Sequence, residues 1–330
     1  MLKYLFLLKN LVKMNITQDK IKEFLTKSAS LSQSSLEKEA GLSQGLINKV
    51  LAGKRDFNKS HIAKLYPVLK KYGYSDMVVK KAKVISLLNH KGGVGKTTST
   101  MNLGKALGLL GYKTLAVDLD PQCNLTQWYD VLREEDTIYE VLLNNQDIKE
   151  VEVDDHLHVV PSNLKLSQAE SELHQKINGY SRLRSALKSK VEEYDYILVD
   201  CPPSLNILTA SALIASDSVI IIMQPEKLPM NGLVAIIDAI NQVNEESEFF
   251  LNIEGLLYTQ VKKNLVNHQE TMQHVNDICS SNDINVFDTV IRNNTALSEC
   301  VWLNQDIFTY DKNSIGAEDY MNFAKELINE

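Results

Sequence analysis

Val84-Ile85-Ser86-Leu87-Leu88-Asn89-His90-Lys91-Gly92-Gly93-Val94-Gly95-Lys96-Thr97-Thr98 compresses a strand, a turn and the start of a helix into fifteen residues. An apolar run of strand length ends at residue 89, glycines follow, and a helical pattern over 97–110 begins without a spacer. That order is what a phosphate-binding loop requires. Glycines let backbone amides curl around an anion, the new helix turns its positive end toward it, a lysine neutralises oxygens and a first-turn hydroxyl can ligate Mg²⁺. Here Gly92, Gly93, Val94, Gly95 and Thr98 form the cradle, Lys96 is the neutralising cation and Thr97 the metal-ligating hydroxyl. Lys91 is surplus to this arrangement. One nucleotide held by one subunit does not need a second lysine before the glycines, so Lys91 requires another role.

Outward from this run, apolar segments of strand length recur at 114–119, 157–161, 196–200, 218–223 and 255–259, with a shorter one near Val286. Helical patterns lie between them, among them 97–110, 181–193 and 232–243. This alternation predicts an α/β fold, a mostly parallel sheet flanked by helices on both faces, with ligands gathered at the carboxyl ends of the strands. Two of those ends carry carboxylates. In Val117-Asp118-Leu119-Asp120 the two aspartates are two residues apart and face alike, so both are expected to point into the site. The run Tyr196-Ile197-Leu198-Val199-Asp200 ends on an aspartate placed like the one that holds Mg²⁺ through water in P-loop enzymes, and Pro202-Pro203 stiffens the exit. Each motif alone has a plain structural use, as a turn or a cap. Three in this order define a nucleotide site.

At 330 residues, with 44% hydrophobic and 23% charged, the chain suits one large α/β domain with a smaller appendage. The charge is divided unevenly. Residues 1–83 hold 17 Lys/Arg and 6 Asp/Glu, whereas 84–330 hold 18 and 36, so the net −7 conceals a basic module on an acidic body. Such a module suits a polyanion, nucleic acid being the commonest, with a solvated lysine-rich surface as the alternative. Cys123, Cys201, Cys279 and Cys300 lack the paired spacing of zinc or redox sites and read as reduced and packed. The apolar start, residues 4–8, is interrupted by Lys9 and Lys13, too short for a membrane span and without a small-residue cleavage site, so a cytoplasmic location is expected. Either Met14 is the true start or residues 2–12 form an extra amphipathic helix used in dimer contacts.

Residues 16–72 carry helical spacing throughout. Within them, 35–50 reads as helix, tight turn, helix, with Gly41 at the turn and Ser43 as N-cap of the second helix. That helix would present Gln44, Asn48 and Lys49 to base edges or phosphates, and Lys54 and Arg55 just beyond could grip the backbone. The segment resembles the helix-turn-helix of phage-repressor-type regulators, including Gly53-Lys54-Arg55 after the recognition helix; a hairpin used only for packing is the alternative. The expected organisation is a helical DNA-binding domain over 1–75, a linker over 76–83 and a P-loop ATPase domain over 84–330.

From Lys91 to Thr98 the chain resembles the ParA/MinD group of P-loop ATPases, whose deviant phosphate loop carries a lysine ahead of its glycines. The resemblance implies an ATP sandwich homodimer in which Lys91 crosses to the partner's nucleotide, with Lys91, Lys96 and Asp120 catalytic. It makes Asp120 the water-orienting carboxylate and Asp118 a helper near the metal, and it assigns Mg²⁺ to Thr97, Asp120 and Asp200. The family usually has glycine where Cys123 stands, so the turn after Gln122 is expected to differ. Val290-Ile291-Arg292-Asn293-Asn294 and the segment 310–320 resemble the ParA partition branch, and the acidic end of the chain argues against the basic membrane helix of the MinD branch. By position in that branch, Lys262, Lys263 and Arg292 are candidates for sequence-independent DNA contact, and Pro225 and Thr259 for the adenine pocket. A ParB-like centromere-binding partner, nucleoid DNA and the absence of membrane binding are implied with them. The rivals are an ATP-regulated repressor that moves no cargo and a MinD-like positioning ATPase.

Overall fold

The computed structural model describes residues 18–28, 31–72, 82–226, 230–247, 250–262 and 265–329. Residues 2–12, Met14 and most of the expected linker, 76–81, lie outside them. The chain divides into two compact units, 1–79 and 80–330.

The first unit contains α1 (Gln18–Lys27), α2 (Gln33–Glu39), α3 (Leu46–Leu51) and α4 (Lys59–Lys71). Ile21, Leu36, Leu46, Ile47, Val50, Leu65 and Leu69 recur at helical spacing and bury together as its core. Gly41 turns the chain after α2 at φ +61°, in the left-handed region that favours glycine. The start of α3 differs from expectation. Its N-cap is Gly45, at φ +79°, and not Ser43. Glycine has no side chain to cap the helix, and the missing acceptor comes from Glu37 on α2. The Glu37 carboxylate, only 3% exposed, accepts from the amides of Gly45 and Ile47, both at 2.7 Å. One carboxylate therefore satisfies two helix-end donors and fixes α2 to α3. Gln44 lies in the turn before α3, Asn48 and Lys49 lie on it, and all three are exposed, as are Lys54 and Arg55.

The second unit is built on β1 (Lys83–Leu88), β2 (Thr114–Asp118), β3 (Val151–Asp154), β4 (Leu157–Val160), β5 (Tyr196–Asp200), β6 (Ser218–Met223) and β7 (Asn252–Tyr258). They form one sheet in the order β3-β4-β2-β5-β1-β6-β7. Every pairing is parallel except β3 with β4. Side chains alternate between two cores. Along β1, Val84 and Leu88 join one and Ile85 and Leu87 the other; along β5, Ile197 and Val199 oppose Leu198. The second of these cores contains the buried face of α5 (Lys96–Leu109) and parts of α13 (Thr295–Trp302), α14 (Ile307–Asp311) and α15 (Ile315–Leu327). The first contains parts of α7 (Ile138–Asn144), α8 (Leu166–His174), α9 (Arg182–Leu187), α10 (Ile207–Ala215), α11 (Met230–Glu246) and α12 (Val266–Ser281). A short α6 (Asn124–Trp128) follows β2.

The mostly parallel sheet flanked by helices is the fold expected. Three details differ. β3 is a four-residue antiparallel edge with one face in water, so Val151-Glu152-Val153-Asp154 lacks the apolar run that marks the central strands. The segment near Val286 makes only a single bridge, to Leu256. The helix expected over 181–193 ends at Leu187, and the carbonyl of Val191 instead accepts the Ala82 amide at 2.6 Å, where the chain enters β1.

Replacing Glu37 by Gln keeps its shape and removes its charge, so Glu37→Gln should destabilise the first unit by about 1–3 kcal/mol. Hydrogen exchange at the Gly45 and Ile47 amides is the direct measurement; unchanged protection there would refute the capping role.

Candidate active site

β1, β2 and β5 are brought side by side by crossovers, so the loops after them share one end of the sheet. In the order β2-β5-β1-β6, the connection from β1 to β2 passes over β5 and that from β5 to β6 passes over β1. Chain reversals of this kind open a crevice at the carboxyl ends.

The phosphate loop follows β1. Gly93 and Gly95 have φ of 74° and 92°, which a side chain would strain, and Gly95 is the N-cap of α5. The loop is braced from three sides. Asn89 accepts the Lys91 amide at 2.7 Å while its own amide donates to the Ile222 carbonyl on β6. Thr259 donates to the Val94 carbonyl at 2.6 Å, and Gln260 donates to that of Gly93 at 2.7 Å. Strand ends thus occupy the loop's outward carbonyls and leave its concave side to an anion.

Lys96 is 6% exposed and donates to the Lys91 carbonyl at 3.2 Å. Burial lowers its pKa, against the opposing pull of Asp200, Cys201 and Asp120. Thr97 donates to Asp200 at 2.7 Å and Thr100 to its other oxygen at 3.3 Å. Burial pushes the Asp200 carboxyl up to about 8, with Asp118, its partner in the β2–β5 register, adding repulsion. Asp120 also lies above the usual carboxylate range because it is buried, with the Gln122 amide and Lys96 acting against the shift. Lys96, Thr97 and Asp120 line a cavity of about 450 Å³ together with Gly92, Gly93, Gly95 and Thr98; Asp200 is fully buried behind it and connects to the lining through its bond from Thr97. A larger cavity, about 850 Å³ and lined partly by Leu213, Asp238 and Val243, contains neither the glycine loop nor the buried lysine; size does not identify the active site here.

Several expected site residues have other placements. Asp118 does not line the cavity. Fully buried, it accepts the amide and hydroxyl of Thr126 at 2.9 and 2.6 Å and the Asp120 amide at 3.1 Å. It ties the turn after β2 together, and burial raises it to about 6. Asp120 lies beyond the end of the strand, so the two-residue rule no longer sets its direction. Thr259 braces the loop through the Val94 carbonyl, and Pro225 is buried; neither is among the residues lining this cavity. Arg292 is not a free cation: its guanidinium is held by Asp319 and Glu318 at 2.5 and 2.7 Å. Lys262 is exposed; Lys263 lies outside the described residues.

Cys123 sits in the left-handed region at φ 56°, a conformation that favours glycine, and its amide closes a turn onto Asp120 at 2.9 Å. Asn124, Gln127, Trp128, Gln260, Val301 and Asn304 also line the cavity. They come from separated segments, and no spacing in the chain announces their convergence. Lys91 points elsewhere, to Glu226.

Thr97, Asp120 and Asp200 offer a hydroxyl and carboxylate oxygens, the donors preferred by a hard divalent cation. Among the described residues no group of three or more His, Cys, Asp or Glu is arranged to hold a metal. A cation here would complete its shell with water and ligand oxygens, as Mg²⁺ commonly does.

Glycine loop, buried lysine and strand-end carboxylates on a doubly covered parallel sheet define a P-loop nucleotide-binding protein. An AAA-domain family model matches residues 82–253. The chain is 37% identical over 252 residues to the sporulation initiation inhibitor protein Soj of Bacillus subtilis, spanning 74% of this chain and 98% of Soj. It belongs to the ParA/Soj-type family of partition ATPases. It is also 37% identical over 252 residues to the chromosome partitioning protein ParA of Myxococcus xanthus, across 74% of this chain and 88% of that one. Among solved structures, a Borrelia burgdorferi plasmid partition protein bound to AMPPNP aligns with TM-score 0.63 and 28% identity, covering 76% of this chain and 98% of that one. Cobyrinic acid a,c-diamide synthase from Mycobacterium smegmatis, with ADP and magnesium bound, aligns with TM-score 0.65 and 28% identity, covering 75% and 94%. The fold alone therefore spans different activities.

The raised carboxylates give the ligand-free protein a definite pH dependence. A carboxyl whose folded pKa exceeds its unfolded value contributes stability that is complete below the unfolded pKa, near 3.8, and is lost as pH rises through the folded values, about 6 for Asp118 and about 8 for Asp200. Asp200→Asn should flatten this fall; urea midpoints compared at pH 5 and pH 8 would contradict it if the wild-type difference persisted unchanged.

Proposed function

We propose that this protein is an ATP-dependent DNA partition ATPase in which ATP and Mg²⁺, enclosed between two copies of the chain, create a DNA-binding dimer. The observation that carries the proposal is the division of labour between two lysines of one loop. Lys96 is buried beside Asp120 and Asp200, while the Lys91 ammonium leaves the same loop half-exposed and outside its own cradle. A cation so placed suits a second subunit's phosphates.

The residues present fit the ligand pair. The amides of Gly92 to Gly95, together with Lys96 and Thr98, would hold the phosphates, and Thr97 and Asp200 would hold Mg²⁺, Asp200 through water. Mg²⁺ when bound supplies charge neutralisation at the transferred phosphoryl group. Asp120, a buried residue of the cavity lining, orients the attacking water, and Lys91 from the partner copy stabilises charge that develops during transfer. Relatives named for chromosome partitioning and neighbours solved with AMPPNP or with ADP and magnesium support this reading.

DNA enters in two ways. Exposed Lys262 and, by sequence, Lys263 are the candidates in the ATPase unit for phosphate contact; Arg292, committed to Asp319, is left out of them. Gln44, Asn48, Lys49, Lys54 and Arg55 make the first unit a candidate operator reader through which the protein represses its own operon. A ParB-like partner would accelerate hydrolysis and so release the DNA, moving plasmid or chromosome cargo over the nucleoid in the cytoplasm. Among the described residues no helix is long and apolar enough to cross a membrane. A repressor that moves no cargo is the second reading, favoured by the exposed polar row of the first unit.

Lys96→Ala and Lys91→Ala should each lower ATPase turnover by about 100-fold, measured as phosphate release. Asp120→Ala should still bind ATP and remain on random duplex DNA; rapid release of that variant would remove Asp120 from its assigned role. Deleting residues 1–80 should abolish operator binding and spare ATP-dependent, salt-sensitive binding to random DNA, measured by anisotropy across a salt series. Loss of both would favour the repressor reading, and sedimentation with anionic liposomes in ATP would favour a membrane-positioning ATPase.

A further inference from the structure

We infer that Glu226 is a positioning residue that holds Lys91 within its own subunit until a second copy of the chain draws it across. The inference rests on the paired-subunit reading above. The Lys91 backbone is fixed on both sides. Its amide donates to Asn89, which is anchored on β6, and its carbonyl accepts from Lys96. Only the side chain is left to choose a partner, and it forms an ion pair with Glu226, just beyond the end of β6. The same strand end therefore holds Lys91 twice, once through its backbone and once through its ammonium.

The strength of this second tie follows from exposure. The Lys91 and Glu226 side chains are 54% and 46% exposed, and an ion pair so wet shifts an equilibrium by roughly two- to five-fold. A contact of that size biases the lysine without locking it. It keeps the ammonium away from the loop's own cradle, which Lys96 already serves, and it must break before Lys91 can reach another subunit. A symmetric dimer breaks two such pairs, so the bias enters the dimer dissociation constant squared.

Glu226→Gln removes the charge at an exposed position, and Glu226→Ala serves as a second variant. In the full chain without nucleotide, acetic anhydride labelling of Lys91, read by mass spectrometry against exposed Lys262, should rise two- to five-fold in both variants. With a non-hydrolysable ATP analogue and Mg²⁺, sedimentation equilibrium should show dimerisation tightened by roughly the square of that factor. Unchanged labelling overturns the latch. Raised labelling with an unchanged dimer overturns its control of pairing, and raised labelling with a weakened dimer makes Glu226 a support of the dimer instead. If wild type and variants all stay monomeric with the analogue while labelling rises, it is the paired-subunit reading that fails, and the gating role falls with it.

Discussion

The Lys96 ammonium is taken out of water at the meeting point of strand ends, and most of the site's geometry answers to that placement. Burial weakens its hold on a proton, and the same burial raises Asp118, Asp120 and Asp200 above the ordinary carboxylate range. One lysine cannot balance three aspartates in a poorly solvated pocket. Protein hydrogen bonds relieve part of the strain: Thr97 and Thr100 serve Asp200, Thr126 serves Asp118, and the Gln122 amide serves Asp120. The remainder is relieved by whatever brings positive charge to Thr97 and Asp200 and negative charge to the glycine amides. A metal-bound triphosphate does both at once.

The cradle keeps its shape because its outward carbonyls are already in use. Thr259, Gln260 and Asn89 reach it from three directions and connect it to β7 and β6. With the loop held in this way, its glycine amides can serve an incoming anion with little reorganisation. Asp118 performs a comparable task for the turn that carries Asp120. Its interest is mechanical: by holding Thr126 it fixes the segment in which Cys123 adopts a conformation usually left to glycine. The first unit repeats the device at a smaller scale, where Glu37 supplies from one helix the cap that Gly45 cannot supply for the next.

The two lysines of the loop show how neighbouring residues are separated by environment. Lys96 lies among the carboxylates that follow β2 and end β5, Asp120 and Asp200, whereas the half-exposed Lys91 ammonium pairs with Glu226. Both belong to one short glycine-rich run, so their contrast is set by which strand ends lie beside the loop.

The strand–loop–helix order and the parallel alternation were legible in the chain, and so was the meeting of Lys96, Thr97 and Asp120 at one end of the sheet, because each depends on local backbone chemistry and on periodicities of two and 3.6 residues. Tertiary structure decided the rest. Asp118 and Asp120 look equivalent two residues apart, yet the strand ends between them and only Asp120 reaches the cavity. That Thr259 would brace the loop was not legible; Arg292 looked like a free cation and is held by Asp319; Glu226 carried no signal at all. Hydrogen-bond partners separated by 27 to 165 residues are chosen by sheet order and packing, and no local pattern encodes which side chain will find which.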